Sequence, residues 1–216
     1  MPESRKQASV TVACIQMEPH IGETEANVAR SIRLMEDAAA KGAQLVVLPE
    51  LCNTGYVFET RAEARALAEP VPDGPTCQAW AAAAARLGLH MVAGITERDG
   101  EMLYNCAVII GPDGLVGRYR KVHLWGDEAL FFAPGNLGFP VFDTPLGRIG
   151  CHICYDCWFP ESFRLAALQG AEIVCVPTNW VPIPGQDPKR EAMANILVMA
   201  AAHSNSVFVA AADRVG

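Results

Sequence analysis

Arg148-Ile149-Gly150-Cys151-His152-Ile153-Cys154-Tyr155-Asp156 reads as a short strand that stops at a cysteine. Pro160, suited to the first turn of a helix, opens a helix that runs to Gly170. Residues 173–176 then form a second apolar strand. This strand–helix–strand unit sets the class as α/β, and the rest of the chain conforms to it when read outward. Upstream, residues 10–16 alternate and are β-branched, which predicts a strand. Residues 23–41 carry Val28, Ile32, Met35 and Ala39 at helical spacing, with Gly42 as the C-terminal cap. Residues 45–48 are a buried strand stopped by Pro49, and 76–87 a helix ending at Gly88. Strands at 89–96 and 102–110 flank Asp99-Gly100, a hairpin signal. Gly111-Pro112-Asp113-Gly114 turns into a further strand reaching Tyr119. Downstream, 177–188 is a loop, 189–204 a helix and 207–211 a strand. Hairpins among alternating strands and helices predict a mixed sheet.

Three polar residues fall where strands stop. Glu50 follows Leu45-Val46-Val47-Leu48-Pro49, Lys121 follows Gly117-Arg118-Tyr119-Arg120, and Cys154 follows Ile153. In open α/β sheets, strand ends are where ligands bind. A thiol beside a carboxylate and an ammonium has what nucleophilic catalysis needs: the positive charge favours the thiolate and the carboxylate moves the proton. Trp80, Trp125, Trp158 and Trp180 read as core or pocket wall. Trp180, in the loop after a strand end, is the best pocket candidate.

Leu48-Pro49-Glu50-Leu51, Tyr119-Arg120-Lys121-Val122-His123-Leu124 and Gly150-Cys151-His152-Ile153-Cys154-Tyr155-Asp156 closely resemble, in order, the three signatures of the nitrilase superfamily of carbon–nitrogen hydrolases. The resemblance runs from the first strand to Asp213-Arg214-Val215-Gly216. It implies a four-layer αββα sandwich and a Glu–Lys–Cys triad, which by motif position is Glu50, Lys121 and Cys154. Glu128, ahead of Phe132-Ala133-Pro134-Gly135, matches the second glutamate of many members. The resemblance further implies a thioester on Cys154, with an oxyanion held by Lys121 and the N–H of Tyr155. It implies no metal and no organic cofactor, and a homodimer or larger assembly built on the helices after Pro160 and at 189–204. Tyr155-Asp156-Cys157-Trp158-Phe159-Pro160-Glu161 looks more like the amidase and N-carbamoyl-amide hydrolase branches than like true nitrilases. The expected substrate is therefore a small amide or N-carbamoyl compound, with a small nitrile as the alternative. Members usually continue past Asp-Arg-Val-Gly with further strands and a tail, which this chain lacks.

The competing readings are weaker. Cys151, Cys154 and Cys157 have part of an iron–sulfur spacing but no evident fourth thiolate. A papain-like pair with His123 or His152 is a second rival, although on a strand His152 faces the other way from Ile153. A non-catalytic relative would have no need of all three triad groups.

Composition sets the outer bounds. The 216 residues are 51% hydrophobic and 19% charged, enough for a large core and unlike a disordered chain. Nothing reads as a linker, so residues 1–216 are expected to form a single domain. The formal charge of −7 disfavours nucleic acid and anionic membrane as partners. No apolar run approaches membrane-spanning length, and the polar first nine residues lack the apolar core of a signal peptide. Most of the eight cysteines are then reduced, buried small hydrophobes, and the expected compartment is the cytoplasm.

Overall fold

The computed structural model describes residues 9–181, 185, 187 and 189–216. Two sheets pack face to face. The first contains, in spatial order, β1 (Val12–Cys14), β2 (Leu45–Val47), β3 (His90–Asp99), β4 (Met102–Gly111) and β5 (Gly114–Arg120). The second contains β6 (Val141–Thr144), β7 (Gly147–Cys151), β8 (Ile173–Pro177) and β9 (Phe208–Ala212). β1, β2 and β3 run parallel, and the hairpins β3–β4 and β4–β5 are antiparallel. β6 is antiparallel to β7, while β7, β8 and β9 run parallel. Both sheets are therefore mixed; the hairpin signals at Asp99-Gly100 and Gly111–Gly114 account for the first, and the β6–β7 pair makes the second so.

Among the described residues, five helices accompany them: α1 (Thr24–Ala40), α2 (Arg61–Leu67), α3 (Pro75–Leu87), α4 (Pro160–Leu168) and α5 (Met193–Asn205). The alternation of side chains along each strand divides the core into layers. Val46, Met91 and Val108 point outward to α1 and α3, joining Met35, Trp80 and Ala84. Leu45, Val47, Val92 and Ile109 point inward and meet Ile149, Cys151, Cys175 and Ala210 of the second sheet. Val174 and Val176 face Phe163 and Ala166 of α4, with Val198 and Ala201 of α5 packed beside them. The result is an αββα sandwich. Trp80 donates its indole N–H to Ser31 Oγ at 2.8 Å, locking α3 to α1 without leaving a buried donor unpaired.

The structure corrects several boundaries. The strand expected over 10–16 is paired only over Val12–Cys14. The helix expected from Lys189 begins at Met193, because Asp187 captures the backbone first: its carboxylate accepts from Lys189 N and its carbonyl from Arg190 N. α2 and β6 were not read from the sequence at all. For α2 a signal was present: Thr60 Oγ1 accepts from Glu63 N, and Glu63 Oε2 reaches back to Glu59 N, a Thr-x-x-Glu start. Seven cysteines are buried, but Cys14 is exposed.

α4 and α5 keep large apolar side chains exposed within this chain. Leu168 is 75% exposed and Met199 58%. One side of each helix covers the second sheet, and no described element lies over the other.

Candidate active site

The carboxyl ends of β2, β5, β7 and β8 meet at one edge of the sandwich. Glu50, just past β2, is fully buried, and its backbone N–H donates to Thr178 O, just past β8, at 3.3 Å. That bond joins the two sheets. The chain turns sharply here, with Leu51 in the left-handed region at φ +46°. Gly94 makes room for the turn, since a Cβ there would lie 2.6 Å from Glu50 Cα.

Lys121, just past β5, is held by its neighbours' backbone. Its N–H donates to Asn105 O and its carbonyl accepts from Gly135 N, each at 2.8 Å. Gly135 is required by contact, because a Cβ would come 2.6 Å from Arg120 C.

The side chains converge. Lys121 Nζ lies 2.7 Å from Glu50 Oε1 and 2.8 Å from Glu128 Oε1. Asn105 Nδ2 donates to the same two oxygens at 2.7 and 3.1 Å. Tyr56 OH donates to Glu128 Oε1 at 2.7 Å, and Trp125 N donates to Glu128 Oε2 at 2.7 Å. The second is a backbone capture that fixes the 3-10 turn Gly126–Leu130. Glu50 Oε2 is left buried without a partner.

Cys154 completes the cluster. It opens a 3-10 turn, Cys154–Trp158, with φ +46°, a left-handed conformation that a residue with a Cβ adopts only at a cost. The elbow is held by Asp156. Asp156 Oδ2 accepts from Ile153 N at 3.0 Å and from Tyr119 OH at 2.7 Å, while Oδ1 accepts from His123 N at 3.0 Å. One buried carboxylate therefore ties the strand before Cys154 to the segment on either side of Lys121. The N–H groups of Cys154 and Tyr155 lie in the first turn, ahead of the turn's own hydrogen bonds.

Electrostatics follow from burial. Burial pushes the Glu50 carboxyl up, Glu128 adds to this, and Lys121 and Asn105 hold it back, leaving it at about 7. Burial alone would lower the Lys121 ammonium, but Glu50, Cys154 and Glu128 outweigh it and keep the group charged. Burial also pushes the Cys154 thiol well up, and Glu50 adds to it. Lys121, the Thr178 hydroxyl and the Asn179 N–H pull the other way. The resting thiol is thus neutral, beside a carboxylate poised to take its proton near neutral pH.

Of the residues singled out from sequence, Glu50, Lys121, Glu128 and Cys154 come together. Trp180 is half-buried and donates its indole N–H to Cys154 O at 3.3 Å. Tyr155 packs edge-on against Trp125, ring centroids 4.7 Å apart. An open cleft of about 490 Å³, lined by Tyr56, Phe58, Trp125, Glu128, Phe131 and Phe132, leads to Glu128. Neither histidine serves Cys154. His123 Nδ1 is 2.8 Å from Asp156 Oδ1, and its ring stacks on Phe159. His152 is enclosed by Tyr119, Phe139 and Phe163. Among the described residues no three His, Cys, Asp or Glu side chains are placed to hold a metal ion. Sequence reasoning missed Asn105, Tyr56, Asp156 and Thr178. The available signal for Asn105 was a lone amide inside the apolar run of β4.

Residues 11–216 match the family described as carbon-nitrogen hydrolase. The chain belongs to that family. It is 44% identical over 209 residues to a nitrilase of Pyrococcus abyssi, covering 96% of this chain and 76% of that one. It is 35% identical over 222 residues to an N-carbamoylputrescine amidase of Solanum lycopersicum, covering 99% and 73%. Among solved structures it is similar to a mutant of the amidase from Nesterenkonia sp. AN1, with a TM-score of 0.80 and 25% identity, covering 96% of this chain and 80% of that one. That structure shows the result of Michael addition of acrylamide at the amidase's active site cysteine. This carbon–nitrogen hydrolase shares its fold with such solved structures.

Proposed function

We propose that the enzyme hydrolyses the C–N bond of a small amide or N-carbamoyl compound through a thioester on Cys154. The observation that carries this reading is the placement of the Cys154 thiol, on a left-handed elbow, beside the buried Glu50–Lys121 pair. Glu50 takes the thiol proton as the sulfur attacks the carbonyl carbon. The carbonyl oxygen becomes an oxyanion facing Lys121 Nζ and the first-turn N–H of Tyr155. Donors of this type are worth about 3–4 kcal/mol in the transition state. Glu50 returns the proton to the departing nitrogen, and the C–N bond breaks to leave the thioester. Water then gives Glu50 a proton as it attacks the same carbon, the C–S bond breaks, and Glu50 passes that proton to the departing sulfur to regenerate the thiol. Glu128, held by Tyr56, Asn105, Lys121 and Trp125 N, is built too rigidly to shuttle and instead orients the substrate nitrogen or the water.

The cleft beside Glu128 is apolar over most of its wall and suits a short chain carrying the reactive group. The eight free thiols suit a reducing compartment such as the cytoplasm. The exposed apolar faces of α4 and α5, with Leu168, Ile196 and Met199, are the surface through which two copies would associate. Ammonia release from a panel of aliphatic amides, N-carbamoyl amines and nitriles, on protein whose mass is followed by light scattering, tests the reading. Turnover of amides or N-carbamoyl amines by a dimer is expected. Turnover confined to nitriles would overturn the substrate class, and a monomer mass would overturn the association.

A further inference from the structure

The parallel register of β7 and β8 pairs Cys151 with Cys175. Three residues further on, both strands have ended, and Cys154 and Thr178 occupy equivalent places at the same edge. Both backbone groups of Thr178 are committed. Its N–H donates to Ala212 O at 3.0 Å, and its carbonyl accepts from Glu50 N. The residue therefore cannot drift, and it stands between the carboxylate of one sheet and the thiol of the other. Its side chain is fully buried, yet Oγ1 makes no hydrogen bond in the resting site. An unmet buried hydroxyl costs about 1–3 kcal/mol, so a fold that keeps one beside a reactive sulfur has a use for it in another state.

We propose that Thr178 is a further catalytic residue, whose hydroxyl donates to the Cys154 sulfur while that sulfur carries negative charge. The inference rests on Cys154 being the nucleophile. When Glu50 takes the thiol proton, the charge left on sulfur gains the Thr178 O–H as a donor. The Asn179 N–H, next along the chain, acts on the same atom, and both groups favour the ionised sulfur. When the C–S bond forms, the charge moves to the carbonyl oxygen and the hydroxyl is released. When the thioester is cleaved, the departing sulfur is received by the same donor. Threonine keeps its own proton throughout. The arrangement divides the labour: Lys121 serves two carboxylates as well as the reacting centre, whereas Thr178 has no competing acceptor. A thiolate accepts this hydrogen bond far more strongly than a neutral thiol does, so the group discriminates between the two states rather than binding both equally.

The test compares Thr178→Val, which keeps the shape and removes the hydroxyl, with Thr178→Ser, which keeps the hydroxyl. Cys154 alkylation by iodoacetamide is followed against pH by peptide mass mapping, so that the other thiols do not interfere. kcat and KM are measured on the best substrate of the panel. Thr178→Val should move the alkylation midpoint upward by about one pH unit and lower kcat about tenfold with KM little changed. Thr178→Ser should recover most of both losses. Thr178→Val with a wild-type midpoint and kcat overturns the proposal. So does Thr178→Ser falling as far as Thr178→Val, because packing would then be the cause. If the wild-type Cys154 is itself unreactive, the nucleophile assignment fails first. A reactive Cys154 unaffected by Thr178→Val removes only the role of Thr178.

Discussion

The first sheet delivers charge to the site and the second delivers sulfur, and the two are held by different means. Glu50, Lys121 and Glu128 are cross-braced side chain to side chain, with Asn105 and Tyr56 completing the set. Cys154 has no such brace. It is positioned by its own backbone, through a left-handed elbow and the Asp156 carboxylate on Ile153 N. Around it, Glu50 Oε2 and Thr178 Oγ1 are left without partners. The ion pairs of the charged half store a fixed electrostatic field, while the open positions at Glu50 Oε2 and Thr178 Oγ1 are left for atoms that arrive. Buried ions are costly unless paired, so the charged half must be complete before substrate binds. The sulfur half need only be aimed.

This contrast is broken most directly by deleting one member from each half. Cys154→Ala should lose at least about 10⁴-fold in kcat/KM, with a melting temperature close to wild type because no buried partner is orphaned. Lys121→Met should lose comparable activity and also about 3 kcal/mol of stability, since two buried carboxylates are left facing each other. Urea unfolding of the two variants checks this. Equal stability in both would mean that the charged half is not a structural unit.

A subtler version uses glycines. A Cβ at Gly94 would press on Glu50 Cα at 2.6 Å, whereas one at Gly150, in β7, would meet Ala166, Ala171 and Val174 side chains at 3.4–3.5 Å. Gly94→Ala should therefore shift Glu50 and cost about 10²-fold in kcat. Gly150→Ala should change stability by no more than about 1 kcal/mol and leave turnover nearly intact. Steady-state kinetics on both, with circular dichroism as the check on folding, decides it. A Gly150→Ala loss as large as that of Gly94→Ala would show that the sulfur half is aimed as tightly as the charged half.

The same division explains what the sequence disclosed. Glu50, Lys121 and Cys154 were legible because each interrupts an apolar strand at its end, where a polar residue is conspicuous and the surrounding motif is specific. The layers were legible from periodicity, since β3, β4, α1 and α3 are long and regular. Asn105, Tyr56 and Thr178 were not legible. Asn105 enters the site because β4 runs opposite to its neighbours and brings its amino end, not its carboxyl end, to the shared edge. That is a property of topology, invisible in a local window. Thr178 depends on the register between β7 and β8, and Asp156 on a contact with a segment from the other sheet. The late start of α5 turned on Asp187 capturing two backbone N–H groups, a local competition that helical periodicity does not register.

The smallest expected effects are in pH, where the two halves separate once more. Glu50 must be ionised to accept the thiol proton and sits at about 7, so kcat/KM should fall about tenfold per unit as pH drops below about 7. His152, on the strand before Cys154, governs stability instead. It is fully buried, neither ring nitrogen makes a hydrogen bond, and burial drives it down to about 4 against the pull of Asp156. In the unfolded chain an imidazole titrates near 6.5, so between about 6.5 and 4 the unfolded state binds the extra proton. Stability is then fully present above about 6.5 and is lost as pH falls toward 4, by up to about 3 kcal/mol. His152→Leu removes the titrating group from its enclosure of Tyr119, Phe139 and Phe163. Urea unfolding at pH 7 and pH 4.5 should show the wild type losing more stability across that interval than the variant, by about 2–3 kcal/mol. Equal losses would place the acid sensitivity elsewhere in the molecule, and the histidine would be a bystander.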